Sequence, residues 1–251
     1  METLFIGRQK LELEEVASTN SFALNLIREN KASEGCLISA RSQSGGRGQQ
    51  GNTWESESGK NLTISIVLNP NFLPVGRQFA LSQIISLTVA ALAEECIGNK
   101  APVKIKWPND IYAGDQKIAG ILVENVLRDH AITASVLGIG LNVNQEAFLT
   151  APRATSLSII GGQHFDLEGC CDRLCSLLEA RYLQLKGGKF EELDLAYKAK
   201  LYRLNEEHTY ISNGVRFKAI LTGVSKAGLL QLQTEKEGRK EFNLKELQFD
   251  W

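Results

Sequence analysis

The run Leu62-Thr63-Ile64-Ser65-Ile66-Val67-Leu68 alternates apolar and polar residues until its end and stops at Asn69-Pro70, the mark of a strand with one face on a core. The same period of two runs through residues 10–16, where Leu11 and Leu13 alternate with charged neighbours, and through Val103-Lys104-Ile105-Lys106-Trp107. Residues 35–40 predict a further strand, and residues 118–127 and 132–143 predict two more behind a turn at Ala113-Gly114-Asp115. Helices fall between and after them. Ser18 or Thr19 can cap one that runs to about residue 30. Residues 79–97 form a long, mostly apolar helix, which argues for burial, and residues 167–186 and 189–203 predict two others. After residue 204 the texture changes to short strands at 215–221 and 228–233 with glycine turns. This small all-β tail is too short for much independent stability, so it is expected to dock on the main unit. No internal repeat or low-complexity linker is visible.

Composition narrows the class. The 251 residues are 43% hydrophobic and 23% charged, as in an ordinary globular chain with ample length for a core. Lys and Arg number 28 against 29 Asp and Glu, a net charge of −1, so no global basic field recruits DNA. No basic-then-apolar leader opens the chain, and the 78–97 segment, broken by Ser82, Gln83, Ser86 and Thr88, is read as falling short of a membrane span. The five cysteines form no Cys-x-x-Cys pair, and Cys170, Cys171 and Cys175 read as reduced thiols packed on a helix. These features lead to the expectation of a cytoplasmic protein with no membrane and no DNA partner.

Chemistry concentrates in two stretches. Lys106-Trp107-Pro108-Asn109-Asp110 is followed by Lys117-Ile118-Ala119-Gly120-Ile121-Leu122-Val123-Glu124, which sets an amide, a carboxylate and an amine on one strand–turn–strand unit. Asn109, Asp110 and Lys117 suit ATP: polar contact, a carboxylate for Mg²⁺ and an ammonium for phosphate. Upstream, Gly45-Gly46-Arg47-Gly48-Gln49-Gln50-Gly51-Asn52-Thr53-Trp54 matches the pattern Gly-x-Gly-x-x-Gly, but a strand and not a helix follows it, so a dinucleotide fold is excluded. No phosphate-binding P-loop occurs either. The glycines predict a mobile loop whose backbone amides can approach a ligand, with Arg47 adding charge and Trp54 a flat face for a purine.

The ordered set of motifs resembles biotin protein ligases. It comprises Ser18-Thr19-Asn20, Gln43, the glycine loop ending at Trp54, the two stretches above and Gly138-Ile139-Gly140-Leu141-Asn142-Val143-Asn144. The resemblance covers residues 16–144 through motifs and continues more loosely to the end. It implies an α/β (α+β) fold: a mixed β-sheet flanked by helices, like the catalytic domain of class II aminoacyl-tRNA synthetases, over residues 1–204, then a small SH3-like β-barrel over 205–251. It implies an ATP-dependent ligase that forms biotinyl-5′-AMP and passes biotin to a lysine of a biotin carboxyl carrier domain, as a monomer or homodimer. Ser18-Thr19-Asn20 stands too near the start for the DNA-binding domain of the family's repressors, so no repressor function is expected.

The family pattern assigns roles by position. Lys117, Asp110 and Arg47 are the implied catalytic residues. Ser18, Thr19, Asn20, Gln43, Arg47, Gly48, Gln49, Lys117, Gly120 and Gly140 are implied for biotin, with the last two glycines letting strands pass close to it. Arg47, Gln49, Trp54, Asn109, Asp110, Lys117 and Asn142 are implied for ATP, and Asp110 for Mg²⁺. One position departs: many relatives carry Arg where this chain has Gln49, and a neutral amide forgoes a charge-assisted contact to the adenylate phosphate. The rival readings are a lipoate–protein ligase or octanoyltransferase of the same superfamily, and a non-catalytic biotin or nucleotide sensor.

Overall fold

The computed structural model describes residues 3–235 and 237–250; Met1, Glu2, Lys236 and Trp251, which the ranges 1–204 and 205–251 take in, lie outside the described residues. Seven strands form one mixed sheet: β1 (Lys10–Val16), β2 (Leu37–Gln43), β3 (Leu62–Leu68), β4 (Val103–Lys106), β5 (Asp110–Ala113), β6 (Gln116–Arg128) and β7 (Ala131–Leu141). Their order is β1-β2-β3-β7-β6-β5-β4, and β1 and β2, joined through helix α1 (Thr19–Arg28), pair in parallel while the other neighbours pair antiparallel. β7 therefore sits between β3 and β6, at the centre of the sheet.

Both faces are covered. α1, with Ser18 as its N-cap, packs Ala23 against Ile38, Val67 and Val136 on one side. The other side carries α2 (Phe79–Ile97), α3 (Leu157–Gly161), α4 (Leu167–Lys186) and α5 (Phe190–Lys200). Double coverage explains one departure from the alternation seen in the sequence. All seven residues of β3 are buried, because Thr63 and Ser65 face the α1 side and the isoleucines face the helices behind. A second departure concerns α2. Its length and apolar composition are enough to cross a membrane, since Ser82, Gln83, Ser86 and Thr88 do not lower the average sufficiently; 72% of that window is instead buried inside the protein. The thiols of Cys170, Cys171 and Cys175 pack into the same core. Among the described residues, no group of three or more His, Cys, Asp or Glu is placed to hold a metal.

The tail forms a five-stranded antiparallel sheet in the order β11-β10-β9-β8-β12: β8 (Glu207–Ser212), β9 (Val215–Val224), β10 (Leu230–Thr234), β11 (Gly238–Phe242) and β12 (Gln248–Phe249). Tyr210, Leu221, Leu230 and Leu232 continue the core of the large sheet without a break. The β9–β10 turn is pinned to the main body, with Trp107 Nε1 donating to Gly228 O at 2.9 Å. Gly228 has φ +91° and lies against Phe79 at the start of α2, so a side chain there would collide with that ring.

The N-terminal segment is held by one carboxylate. Glu179 of α4 is 6% exposed and accepts the N–H groups of Leu4, Phe5 and Ile6 at 2.6, 2.8 and 2.9 Å. Burial pushes this carboxyl up, but the amides of Leu4, Ile6 and Phe5, helped by the charge of Arg8, outweigh it and leave the pKa below the ordinary range. A depressed folded pKa contributes stability at neutral pH that is lost as acid protonates the group. Glu179→Ala should cost about 2–3 kcal/mol in urea denaturation at pH 7. The gap to wild type should shrink as pH falls through the lowered carboxyl pKa.

Candidate functional site

Strand register builds the site. One lateral row crosses five strands: Lys106 pairs with Asp110, Asp110 with Gly120, Gly120 with Gly140, and Gly140 with Thr63. The row places a charged pair at one end and withholds side chains in its middle. The next row repeats the device, Leu122 pairing with Gly138 and Gly138 with Ser65. The result is a cavity of about 230 Å³ on the α1 side of the sheet.

Side chains from elsewhere lie over these glycines. The Trp54 indole covers Gly120 and Gly140, so close that a Cβ on Gly140 would stand 2.3 Å from the ring. Its Nε1 is buried without a hydrogen-bond partner, as is Oε1 of Gln49, and both residues line the cavity. Buried polar atoms are almost always satisfied, so these two mark places where a ligand belongs. The Asn20 amide lies on Gly138, where a Cβ would meet its Oδ1 at 2.2 Å. Asn20 Nδ2 donates to Glu124 at 2.8 Å and to Leu122 O at 3.2 Å. Ser65 Oγ lies 2.6 Å from Asn20 Oδ1 and 2.8 Å from Thr19 Oγ1 and shares its one proton between them. Gln43 Oε1 accepts the Thr19 N–H at 2.7 Å, which leaves Nε2 as the Gln43 atom able to donate to a ligand.

The glycine loop folds back on itself, so that two of the amides expected to be free for a ligand are bonded within it. Arg47 and Thr53 form an antiparallel bridge, Gly48 N donates to Asn52 O at 2.6 Å, and Trp54 N donates to Gly46 O at 3.0 Å. Gly51, at φ +81°, makes the turn, and Gly46 lets the two arms approach, since a Cβ there would stand 2.9 Å from Trp54 O. The loop amides of Gly48 and Trp54 are thus engaged within the loop, and its side chains, not those amides, face the cavity.

Among the described residues, three cations, Arg47, Lys106 and Lys117, and one carboxylate, Asp110, line the cavity, and Glu124 pairs with Arg47. Lys117 Nζ pairs with Asp110 at 2.6 Å and stands 5.4 Å from the centre of the Trp54 ring. Arg47 bonds to Ser21 Oγ at 2.9 Å and pairs with Glu124 at 3.3 Å. Burial pushes the Lys106 ammonium below its usual range; Asp110 opposes the shift, and Lys117, Arg203 and Arg153 add to it. The remaining surplus of positive charge suits an anionic ligand.

The cavity brings together Ser18, Thr19, Asn20, Gln43, Arg47, Gly48, Gln49, Trp54, Asn109, Asp110, Lys117, Gly120 and Gly140. Asn109 also locks β6, with its Nδ2 donating to Ile121 O at 2.7 Å and its carbonyl accepting Ile121 N–H at 2.9 Å. Asn142 stands apart. It is 1% exposed behind the slot, and its Nδ2 donates to Thr155 O at 3.0 Å. Sequence reasoning overlooked Lys106, Thr53, Leu244 and the Glu124 partner of Arg47. Lys106 and Glu124 sit inside the quoted motifs, and strand alternation from Asp110 and Gly120 would have put them on the same face. No local signal marks Leu244, which reaches the cavity from the β-module.

Comparison with known proteins bears on this geometry. Residues 13–142 match the model of the biotin/lipoate A/B protein ligase family. The biotin–[acetyl-CoA-carboxylase] ligase of Paracoccus denitrificans is 31% identical over 224 residues, covering 86% of this chain and 90% of that protein. The bifunctional ligase/repressor BirA of Bacillus subtilis is 29% identical over 245 residues, covering 96% of this chain and 74% of that protein. Among solved structures, the biotin protein ligase from Aquifex aeolicus in complex with biotin and ATP superposes with a TM-score of 0.80 at 29% identity, covering 97% of this chain and all (100%) of that one.

Gly140→Ala tests the slot itself. The added methyl cannot coexist with the indole, so Trp54 should leave, and the tryptophan emission should shift to the red. The stability loss should stay near 1–2 kcal/mol, because an indole can rotate where a backbone cannot.

Proposed function

The chain belongs to the biotin/lipoate A/B protein ligase family, on its biotin protein ligase branch, and on that premise we propose a two-step reaction for it. The biotin carboxylate attacks the α-phosphate of ATP, which releases pyrophosphate and leaves biotinyl-5′-AMP. A lysine of a biotin carboxyl carrier domain then attacks the mixed anhydride and releases AMP. One observation carries the reading. The cavity sets the Lys117–Asp110 pair and Arg47 beside a glycine floor at Gly120 and Gly140, on which the Trp54 indole packs directly. An acid with a flat, apolar body would enter the cavity beside the indole, with its carboxylate where cations are concentrated.

In this reading Ser18, Thr19, Asn20 and Gln43 take the ureido ring, supported by the network that fixes Thr19 and Asn20. Gly48, Gly120 and Gly140 keep side chains out of the way of the acid, and Trp54 offers its flat face to the purine. The first step brings two anions together, so the main work is electrostatic. Lys117 and Arg47 neutralise carboxylate and phosphate while the fixed strands hold the geometry. Asn109 and Gln49 offer amides to the nucleotide, and Asn142 acts from behind, through the loop at Thr155. Mg²⁺ fits as an ion held largely by phosphate oxygens and water, because Asp110 is the single carboxylate of the cavity lining. When bound, it would offset phosphate charge. In the second step Asp110 would orient or deprotonate the incoming lysine.

The finer architectural reading belongs to the same proposal: a class II synthetase-like catalytic domain over 1–204 and an SH3-like barrel over 205–251 whose Leu244 helps close the site. So do a cytoplasmic location, a monomer or homodimer, and action as a ligase without a DNA-binding role.

Biotin-dependent ATP–pyrophosphate exchange tests the first step. Exchange with biotin and not with lipoate is expected, and Lys117→Ala should lower its rate by about 10²–10³-fold. Exchange with lipoate alone would replace this reading with the lipoate one. Gln49→Arg should slow release of biotinyl-5′-AMP by about 10–100-fold, measured by chasing labelled adenylate from the enzyme, because it restores a charge-assisted contact.

A further inference from the structure

The residue after Trp54 is a carboxylate that the reaction above does not use. Glu55 Oε1 accepts the N–H of Leu149 at 2.7 Å, and Oε2 accepts both the N–H of Thr150 at 2.8 Å and the Thr150 hydroxyl. These bonds to Thr150 and Leu149 hold the Glu55 carboxyl below its usual range. The amides belong to the loop that joins β7 to α3. Further along, the same loop lies beside the start of β6. Lys117 N donates to Arg153 O at 2.8 Å, Thr155 N donates to Lys117 O at 2.9 Å, and Lys117 and Ala154 form a parallel bridge. A second tie joins the same segments, with Gln145 Oε1 accepting from Glu57 N at 3.0 Å and from Asn61 Nδ2 at 2.6 Å.

A bonded path therefore runs from the cover of the slot to the backbone of its amine: Trp54, Glu55, Leu149 and Thr150, then Arg153 and Thr155, then Lys117. The indole has no hydrogen bond of its own, so its place depends on where its backbone is held. On one side that backbone is held by the glycine hairpin, through the bond from Trp54 N to Gly46 O. On the other side it is held by Glu55. A carboxylate on two consecutive N–H groups makes a charge-assisted contact, stronger than the neutral bonds around it.

We propose that Glu55 is a positioning residue whose grip on the Leu149 and Thr150 amides holds Trp54 against Gly120 and Gly140 and couples the glycine loop to the loop that braces Lys117. The coupling is a property of the protein alone. Its consequence for biotin rests on the function proposed above.

Hydrogen–deuterium exchange and steady-state kinetics on the full chain test it with Glu55→Ala, Glu55→Gln and, as a control, Glu146→Gln, an exposed acid in the same loop. In the absence of ligand, Glu55→Ala should speed exchange at residues 149–151 and also at residues 46–54. Glu55→Gln, which keeps one acceptor oxygen, should fall between Glu55→Ala and wild type, and Glu146→Gln should match wild type. In pyrophosphate exchange, KM for biotin should rise on the order of tenfold in Glu55→Ala with kcat within about twofold, since Trp54 loses its hold while Lys117 keeps its own bonds to Arg153 and Thr155. Faster exchange confined to 149–151, or a fall in kcat at constant KM, would overturn the proposal. If the wild type showed no biotin-dependent exchange, the assigned reaction would fail, and the deuterium comparison would still decide the role of Glu55.

Discussion

A sheet covered on both faces holds a ligand only where side chains are withheld, and everything at this site depends on the lateral pairing of Gly120 with Gly140. A slip of one residue in β6 would set Ala119 or Ile121 in the gap and fill it. Asn109 guards against that slip, gripping Ile121 through both its backbone and its side chain. The residue that places Asp110 beside Lys117 thus sits in the same turn that keeps the glycines opposite each other. Slot and charge are consequences of one register.

The charges of the site are paired within the protein. Lys117 rests on Asp110 and Arg47 on Glu124, and burial lowers the pKa of Lys106. Unpaired cations in a half-buried pocket would be costly, so the carboxylates stabilise the fold. They also set a condition on the ligand, which must offer each cation a better partner than the one it leaves. A single carboxylate cannot do this for Arg47 and Lys117 together, whereas a carboxylate and a phosphate side by side can. The proposed substrates, a carboxylic acid and a nucleotide, would meet that condition together.

Much of the architecture was legible because it rests on local patterns. The limits of β1, β3, α2 and α4 follow from alternation, from capping by residues such as Asp166, and from stops such as Gly98 and Gly187. The site was legible where motifs carry it, from Ser18 to Lys117. The rest depends on contacts between distant segments. No pattern in Leu62–Leu68 says that its polar residues are also buried, because that requires α1 to cover them. The closed hairpin of the glycine loop depends on the Arg47–Thr53 pairing, which a count of glycines does not reveal. The five-residue helix α3 and the short strands β8, β11 and β12 are too brief to show a period. Leu244 enters the cavity only because the β-module docks through Trp107 and Gly228.

The central place of β7 has a consequence for biosynthesis. β3 leaves the ribosome long before β7, and its seven residues, all buried in the finished fold, then form an open edge of the kind that recruits other chains. β6 emerges directly ahead of β7 and folds back on it at once, but the β1-β2-β3 half must wait for the same strand to bridge it to the rest. Synthesis of residues 131–141 is thus the moment at which two unfinished half-sheets become one and the exposed edge disappears. A nascent chain that stalls between β3 and β7 would be the most aggregation-prone form this protein passes through.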